Sequence, residues 1–161
     1  MRIGVVSDTH DNLTNVARIV ELFDAAGVER VVHTGDITRA ATLEILGRLQ
    51  APLVGVYGNN DKERESLETA ARASGIRLVD PPLRLTWHER TLTVAHDPLA
   101  IPGALLEESE ILLHGHTHRR VIERSNGCLV FNPGECAGIL AGRNAVGVLD
   151  LDSLTAELLH F

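Results

Sequence analysis

Residues 3–10 are Ile3-Gly4-Val5-Val6-Ser7-Asp8-Thr9-His10, a short apolar run followed directly by polar residues. A run of this kind predicts a buried strand. Four apolar residues then recur at the spacing of a helix with one buried face: Val16, Ile19, Val20 and Phe23. Gly27 follows at the position where a glycine commonly ends a helix. The pattern therefore predicts a strand followed by a helix.

The same alternation continues through residue 61. Val31-Val32-His33 predicts a second strand, which ends at Gly35-Asp36. A second helical pattern runs through Leu43, Leu46 and Leu49. Residues 53–57 predict a third strand, and Gly58-Asn59-Asn60-Asp61 follows it. Strands that alternate with helices are typical of parallel βαβ units.

The second half of the chain is mostly strands. Residues 83–87 and 91–95 flank His88-Glu89-Arg90, which predicts a hairpin turn. Residues 121–124 and 128–131 flank Ser125-Asn126-Gly127, in which Asn-Gly is a strong hairpin signal. A strand at residues 111–113 leads into a histidine-rich segment, and residues 146–149 and 154–159 predict a last pair. Two packed sheets with helices on their outer faces would bury both halves.

Composition narrows the classes of function. A chain of 161 residues fits one domain. Its net charge is −7 and no basic stripe is visible, whereas proteins that bind DNA nonspecifically usually carry one. Aromatic residues make up only 3% of the chain, too few to stack the bases of a single strand. We therefore expect no nucleic-acid binding. Cys128 and Cys136 are too few for a disulfide framework. No apolar run approaches the ~20 residues that cross a bilayer, and no signal peptide precedes the first strand. We expect a cytoplasmic protein with no membrane association.

Residues of the types that bind metals stand in five places, most of them directly after a predicted strand. They are Asp8-Thr9-His10, Gly35-Asp36, Gly58-Asn59-Asn60-Asp61, Ala95-His96-Asp97 and Gly115-His116-Thr117-His118. Sites in open α/β sheets form beyond the carboxyl ends of the strands, so we expect these groups to converge. Imidazole and carboxylate ligands suit divalent Mn, Fe, Co, Ni or Zn, whereas the lack of thiolate disfavours an iron–sulfur or structural zinc site.

Local spacing adds two expectations. Asp8 and His10 are two residues apart, as are His116 and His118, so each pair would point to one side of an extended segment. Glycines at positions 35, 58 and 115 precede three of the motifs, where they permit sharp turns and close approach of the backbone.

The order of these motifs resembles that of the calcineurin-like metallophosphoesterase superfamily, particularly its small single-domain bacterial and archaeal phosphodiesterases. The resemblance extends from Asp8 to the turn at Asn132-Pro133-Gly134. It implies an α/β fold, a four-layer αββα sandwich in which two mixed β-sheets are flanked by helices. It also implies a single metallophosphoesterase domain over residues 1–161.

The resemblance further implies two divalent metal ions, with Mn as the first choice and Ni, Fe, Co or Zn as alternatives. The first ion would be held by Asp8, His10, Asp36 and His118. The second would share Asp36 and be completed by Asn59, His96 and His116. A hydroxide that bridges the ions would attack phosphorus and break a P–O bond. The catalytic group would comprise Asp36, Asn59, Asn60, Asp61 and His96.

The implied substrate is a small-molecule phosphodiester. Two divalent ions, two carboxylates and one hydroxide leave one net positive charge, which matches a monoanionic diester. Many relatives carry a histidine at the position of Asn60, and an amide donates a hydrogen bond but no useful proton. This change predicts a preference for good leaving groups such as aryl esters. Asp97 is a candidate surrogate acid, and Glu135, which replaces the serine of relatives, has no evident role.

Two other functions compete with this one. A non-catalytic protein-interaction scaffold on the same fold is the main alternative, although a pure scaffold need not retain all seven ligands. A nuclease is weaker, because the chain is short and acidic. For His33 and His114 a structural role is favoured over a metal-binding one. A homodimer is possible, since dimers are the commonest oligomers.

Overall fold

The computed structural model describes all 161 residues. The first half of the chain contains β1 (Arg2–Val6), α1 (Leu13–Ala26), β2 (Arg30–His33), α2 (Ala40–Leu46), β3 (Leu53–Val56), α3 (Arg64–Ala73) and β4 (Arg77–Val79). The second half contains β5 (Leu83–Trp87), β6 (Arg90–Val94), a 3-10 helix (Pro98–Ala100), α4 (Gly103–Glu107), β7 (Ile111–Leu113), β8 (Val121–Ser125), β9 (Cys128–Asn132), β10 (Ala145–Asp150) and β11 (Thr155–His160).

These strands form two mixed sheets. The first sheet has the order β11-β10-β1-β2-β3-β4, in which β1 to β4 are parallel and the last two strands of the chain pair antiparallel at one side. The second has the order β5-β6-β7-β9-β8, with three parallel central strands and an antiparallel strand at each edge. The predicted pair of mixed sheets is confirmed.

The apolar residues fill three layers between the four layers of secondary structure. Helices α1 to α3 pack on the outer face of the first sheet, where Phe23, Leu43 and Leu67 are fully buried. Strand residues such as Val5 and Phe131 fill the space between the sheets. The five-residue α4 and the 3-10 helix cover the outer face of the second sheet. The predicted αββα sandwich is confirmed, with a thin fourth layer.

Both predicted hairpins form, but with tighter turns than expected. His88 and Glu89 have φ of 50° and 61°, and Asn126 and Gly127 have φ of 50° and 85°. Left-handed conformations at both central residues are typical of two-residue type I′ turns, whose twist matches that of the strands. Arg90 and Ser125, which were expected in the turns, therefore belong to strands.

Four elements escaped prediction, namely α3, β4, the 3-10 helix and α4, and the end of α2 was also wrong. Helix α3 buries only Leu67, Ala70 and Ala71, so its apolar face carries little side-chain hydrophobicity. Strand β4 and helix α4 have three and five residues, too few to show a period. Helix α2 ends at Leu46, so Leu49 lies beyond it. No helix combines the length and apolarity that a membrane span requires.

We expect Phe131→Ala to lower the free energy of unfolding by about 3–5 kcal/mol, because it leaves a cavity between the sheets. Phe131 is fully buried, and the absence of a side chain at Gly147 makes room for its ring. Ile122→Ala is the control: Ile122 lies opposite Phe131 in the β8–β9 ladder but is 48% exposed, and its loss should be below about 1 kcal/mol. Urea unfolding measures both, and equal losses would contradict the proposed position of the core.

Candidate metal centre

All seven predicted ligands lie where strands end. Asp8 follows β1, Asp36 follows β2, and Asn59 follows β3 in the first sheet. From the second sheet, His96 follows β6, and the segment with two histidines follows β7. The carboxyl ends of these strands meet at one edge of the sandwich, and the loops beyond them bring the side chains together.

The first group of ligand atoms surrounds Asp8. Its Oδ1 lies 3.2 Å from His118 Nε2 and 3.8 Å from His10 Nε2. His10 Nε2 also lies 3.3 Å from Asp36 Oδ2. The ligand atoms of Asp8, His10 and His118 are all within 4.8 Å of one another, close enough to surround one cation.

The second group lies on the other side of Asp36. The ligand atoms of Asp8, Asp36 and His96 are also within 4.8 Å of one another. Asn59 Oδ1 is 3.0 Å from His96 Nε2 and 2.9 Å from His116 Nδ1, which adds an amide oxygen and a second imidazole. Asp8 belongs to both groups, and Asp36 Oδ2 lies near a histidine of each, 3.5 Å from His96 Nε2 and 3.3 Å from His10 Nε2.

Two buried atoms at this centre have no hydrogen-bond partner: Asp8 Oδ1 and His10 Nε2. Buried polar atoms are nearly always paired, so two orphans beside each other call for an explanation such as a bound ion. Their separation of 3.8 Å is too long for a hydrogen bond but suits two ligands of one cation. Oxygen and nitrogen donors of this kind fit divalent transition metals.

The charges at the centre favour a cation. Burial opposes ionisation of Asp36, but the neighbouring His96 imidazole and the hydrogen bonds from Asn60 outweigh it and hold the pKa of this carboxyl well below its usual range. Burial likewise opposes ionisation of Asp8, yet His10 and Ser7 keep its pKa lowered. The Asp8 carboxylate raises the pKa of His10. Two ionised and buried carboxylates therefore lie together at this site.

The backbone at the ligands is left-handed rather than extended. Asp8, His10, Asp36, His116 and His118 have φ of 51°, 39°, 59°, 67° and 55°. The expectation that both two-residue pairs lie in extended segments was therefore wrong. Because the chain turns between them, His116 approaches Asn59 while His118 approaches Asp8. Non-glycine residues with positive φ are uncommon and cluster at functional sites.

Three glycines let the loops touch, as the sequence predicted. A Cβ on Gly35 would lie 2.7 Å from His96 Nδ1, and one on Gly58 would lie 2.9 Å from Asp36 Cγ. A Cβ on Gly115 would lie 2.7 Å from Asp8 Oδ2 and closer still to the Ser7 hydroxyl. Any larger residue would force these loops apart.

Asp61 holds the loop that carries Asp36. Its Oδ2 accepts the backbone N–H groups of Asp36 and Gly58, at 3.1 and 2.6 Å. Its Oδ1 accepts those of Ile37 and Thr38, at 2.8 and 2.7 Å. With four N–H groups on its oxygens, Asp61 faces the backbone rather than the centre of the ligand cluster.

Asn60 contacts Asp36 directly. Its backbone N–H donates to Asp36 Oδ1 at 2.9 Å, and its side-chain Nδ2 donates to Oδ2 at 2.7 Å. The side-chain amide of Asn60 therefore lies directly beside Asp36 Oδ2.

Sequence reasoning missed two partners of the ligands. The Ser7 hydroxyl donates to Asp8 Oδ2. His96 Nδ1 donates to the Thr34 carbonyl at 3.0 Å, which leaves Nε2 of the neutral ring free to bind a metal. The position of Ser7 next to Asp8 was a usable signal, whereas a backbone carbonyl contact has none in the sequence.

The remaining candidates lie around the centre in supporting positions. His33 is fully buried, where its Nδ1 accepts the Gly35 N–H at 3.1 Å and burial lowers its pKa to about 4. His114 is buried beside Asn132. Asp97 caps the 3-10 helix through the Leu99 N–H.

Glu135, for which the sequence indicated no role, is buried and binds the backbone of the next loop. Its carboxylate accepts N–H groups of Gly138 and Leu140, at 2.9 and 3.1 Å, and so orders the loop that follows it.

Residues 1–154 match the family model of the calcineurin-like phosphoesterase superfamily domain. The chain belongs to this superfamily. Phosphodiesterase MJ0936 of Methanocaldococcus jannaschii is 34% identical to this phosphoesterase over 159 residues, which cover 94% of each chain. Phosphodiesterase YfcE of Escherichia coli strain K12 is 27% identical over 99% of this chain and 93% of its own. A solved structure of an archaeal phosphodiesterase superposes with a TM-score of 0.88 and 31% identity over the whole of both chains.

We expect Gly115→Ala to weaken Mn²⁺ binding by this calcineurin-like phosphoesterase about 10–100-fold, because the new methyl group would displace Ser7 and Asp8. Gly103→Ala is the matched control, since a Cβ there meets nothing within 4 Å. Titration calorimetry of the metal-free proteins measures both affinities. Unchanged binding by the Gly115 variant would contradict the close contact between the two loops.

We also expect Asp61→Asn to lower the free energy of unfolding by about 3 kcal/mol, because an amide nitrogen would face backbone N–H donors. Asp24→Asn is the control, since Asp24 accepts only the Gln50 N–H in an exposed position, and its loss should stay below about 1 kcal/mol. Urea unfolding compares the two. Similar small losses would show that the four N–H groups do not depend on the carboxylate.

Proposed function

We propose that this phosphoesterase is a metal-dependent phosphodiesterase that hydrolyses a P–O bond of a small-molecule phosphodiester at the centre described above. The strongest support is the pair of buried, unpartnered ligand atoms, Asp8 Oδ1 and His10 Nε2, beside the shared carboxylate of Asp36. Two relatives that cover nearly the whole chain are named phosphodiesterases.

We assign the ligands to two cations that share Asp36. Asp8, His10, Asp36 and His118 would bind the first, and Asp36, Asn59, His96 and His116 the second. When bound, two divalent ions would supply Lewis acidity toward the phosphoryl oxygens and lower the pKa of water at the site. The buried carboxylates hold the charge that attracts the ions, and the Thr34 carbonyl fixes the ring of His96.

Asn60 and Asp61 have positioning roles in this proposal. Asn60 orients the shared carboxylate through its two hydrogen bonds to Asp36. Asp61 fixes the backbone on which Asp36 stands. Neither supplies a proton to the leaving group, since Asn60 is an amide and the Asp61 oxygens accept backbone hydrogen bonds. Esters with good leaving groups, such as aryl diesters, are therefore the favoured substrates.

Mn²⁺ is our first choice for both positions, ahead of Ni, Fe, Co and Zn. A mixed set of imidazole, carboxylate and amide ligands without thiolate suits these ions and does not select sharply among them. We also propose a cytoplasmic location and keep a homodimer as a candidate state.

Hydrolysis of bis-p-nitrophenyl phosphate tests the proposal. We expect EDTA to abolish turnover and Mn²⁺ to restore it. A His10→Ala, Asp36→Ala double variant should lose at least about 100-fold, because bound metal contributes several kcal/mol to transition-state stabilisation. His160→Ala, which alters an exposed histidine at the end of β11, is the control and should retain wild-type turnover.

The alternative, a protein-interaction scaffold on this fold, makes the opposite prediction. Equal turnover by the wild type and the double variant would favour the scaffold, since a trace contaminant would then account for the hydrolysis.

A further inference from the structure

A cleft of about 430 Å³ opens beside the metal centre. Asn59, His96 and His116 belong to both, so the cleft and the centre are continuous. Its remaining wall includes Tyr57, Arg64, Asp80, Pro81, Pro82 and Ala100. A volume of this size is within the range of small-molecule sites. An ester group attached to a phosphate at the centre can extend into this space.

Arg64 stands in the cleft wall between an aromatic ring and a carboxylate. Its guanidinium carbon lies 3.4 Å from the centroid of the Tyr57 ring, so one face of the plane is covered. Asp80 forms an ion pair with the same guanidinium. The side chain of Arg64 is nevertheless 41% exposed and lines the cleft, so part of it is accessible from the cleft.

The ion pair decides what kind of group Arg64 can bind. Because Asp80 already balances its charge, Arg64 is a poor receptor for an anion. An accessible planar guanidinium is instead suited to stacking with aromatic rings, and nucleobases stack on arginine in this way. Pro81, Pro82 and Ala100 add apolar wall to the same cleft.

We propose that the cleft binds a planar heteroaromatic ester group stacked on Arg64, so that the substrates are nucleotide-type phosphodiesters rather than alkyl or glycerol diesters. This inference rests on the proposed function, since it places the phosphate at the metal centre. Arg64 is then a specificity-determining residue that does not belong to the set of metal ligands.

Binding of two phosphate esters that differ only in the base tests this inference. Adenosine 5′-monophosphate and ribose 5-phosphate are titrated into the Mn²⁺-loaded protein by calorimetry. We expect the wild type to bind the nucleotide about tenfold more tightly, the size of one base stacking interaction.

Variants at position 64 test whether Arg64 causes the preference for the nucleotide. Arg64→Ala removes the planar guanidinium, and Arg64→Lys keeps a positive charge beside Asp80 but has no planar group. In each variant, the affinities for the two esters should therefore differ by no more than about twofold. Arg72→Ala is the control, because Arg72 is an exposed arginine in the last turn of the same helix. It should keep the tenfold preference.

Equal binding of the two esters by the wild type would overturn the inference, as would a preference that persists in both Arg64 variants. Turnover of bis-p-nitrophenyl phosphate by the same preparations separates this result from the proposed function. If the wild type hydrolyses the aryl diester but shows no preference for the base, only the role of the cleft is wrong. If it shows no metal-dependent turnover, the proposed function itself fails.

Discussion

Two ionised carboxylates, Asp8 and Asp36, lie side by side at the edge where the two sheets meet, with 0% and 1% of their surface exposed. Removing an ion from water carries a penalty of several kcal/mol even after relaxation, so charges buried this deeply need partners. Ser7, Asn60 and the N–H of His116 supply hydrogen bonds. Asp8 Oδ1 nevertheless has none, which is the strongest structural reason to place a cation there.

The loops are shaped by this constraint. To direct several side chains at one point, the chain adopts left-handed conformations at five ligands, each of which carries some backbone strain. Glycines at positions 35, 58 and 115 allow the loops to touch, and Asp61 ties two of them together through four hydrogen bonds. The sandwich supplies a rigid frame, since α1 to α3 and the second sheet bury the strands from which these loops emerge.

The candidate metal centre and its neighbouring cleft form one continuous space that several chain segments line. The ligand cluster lies at one end of this space, and the wall around Arg64 bounds another part of it. Arg64 and Asp80 come from α3 and the loop before β5, which carry no predicted ligand, whereas Tyr57 shares the segment after β3 with Asn59. Arg64 and Asp80 therefore stand apart in the chain from every predicted ligand.

Local patterns in the sequence determined every strand except β4, the first two helices and both hairpins, because periodicity and turn residues such as Asn126-Gly127 act over a few positions. They also determined which residue types stand at the strand ends, and hence the expected chemistry. Tertiary structure alone decided that His116 approaches Asn59 while His118 approaches Asp8, and that Asp61 and Glu135 bind backbone N–H groups. It also decided the stacking of Arg64 on Tyr57. Most of these contacts join residues far apart in the chain, and the others depend on how a loop turns. A local pattern in the sequence indicates which residues are buried, but not which side chains they contact.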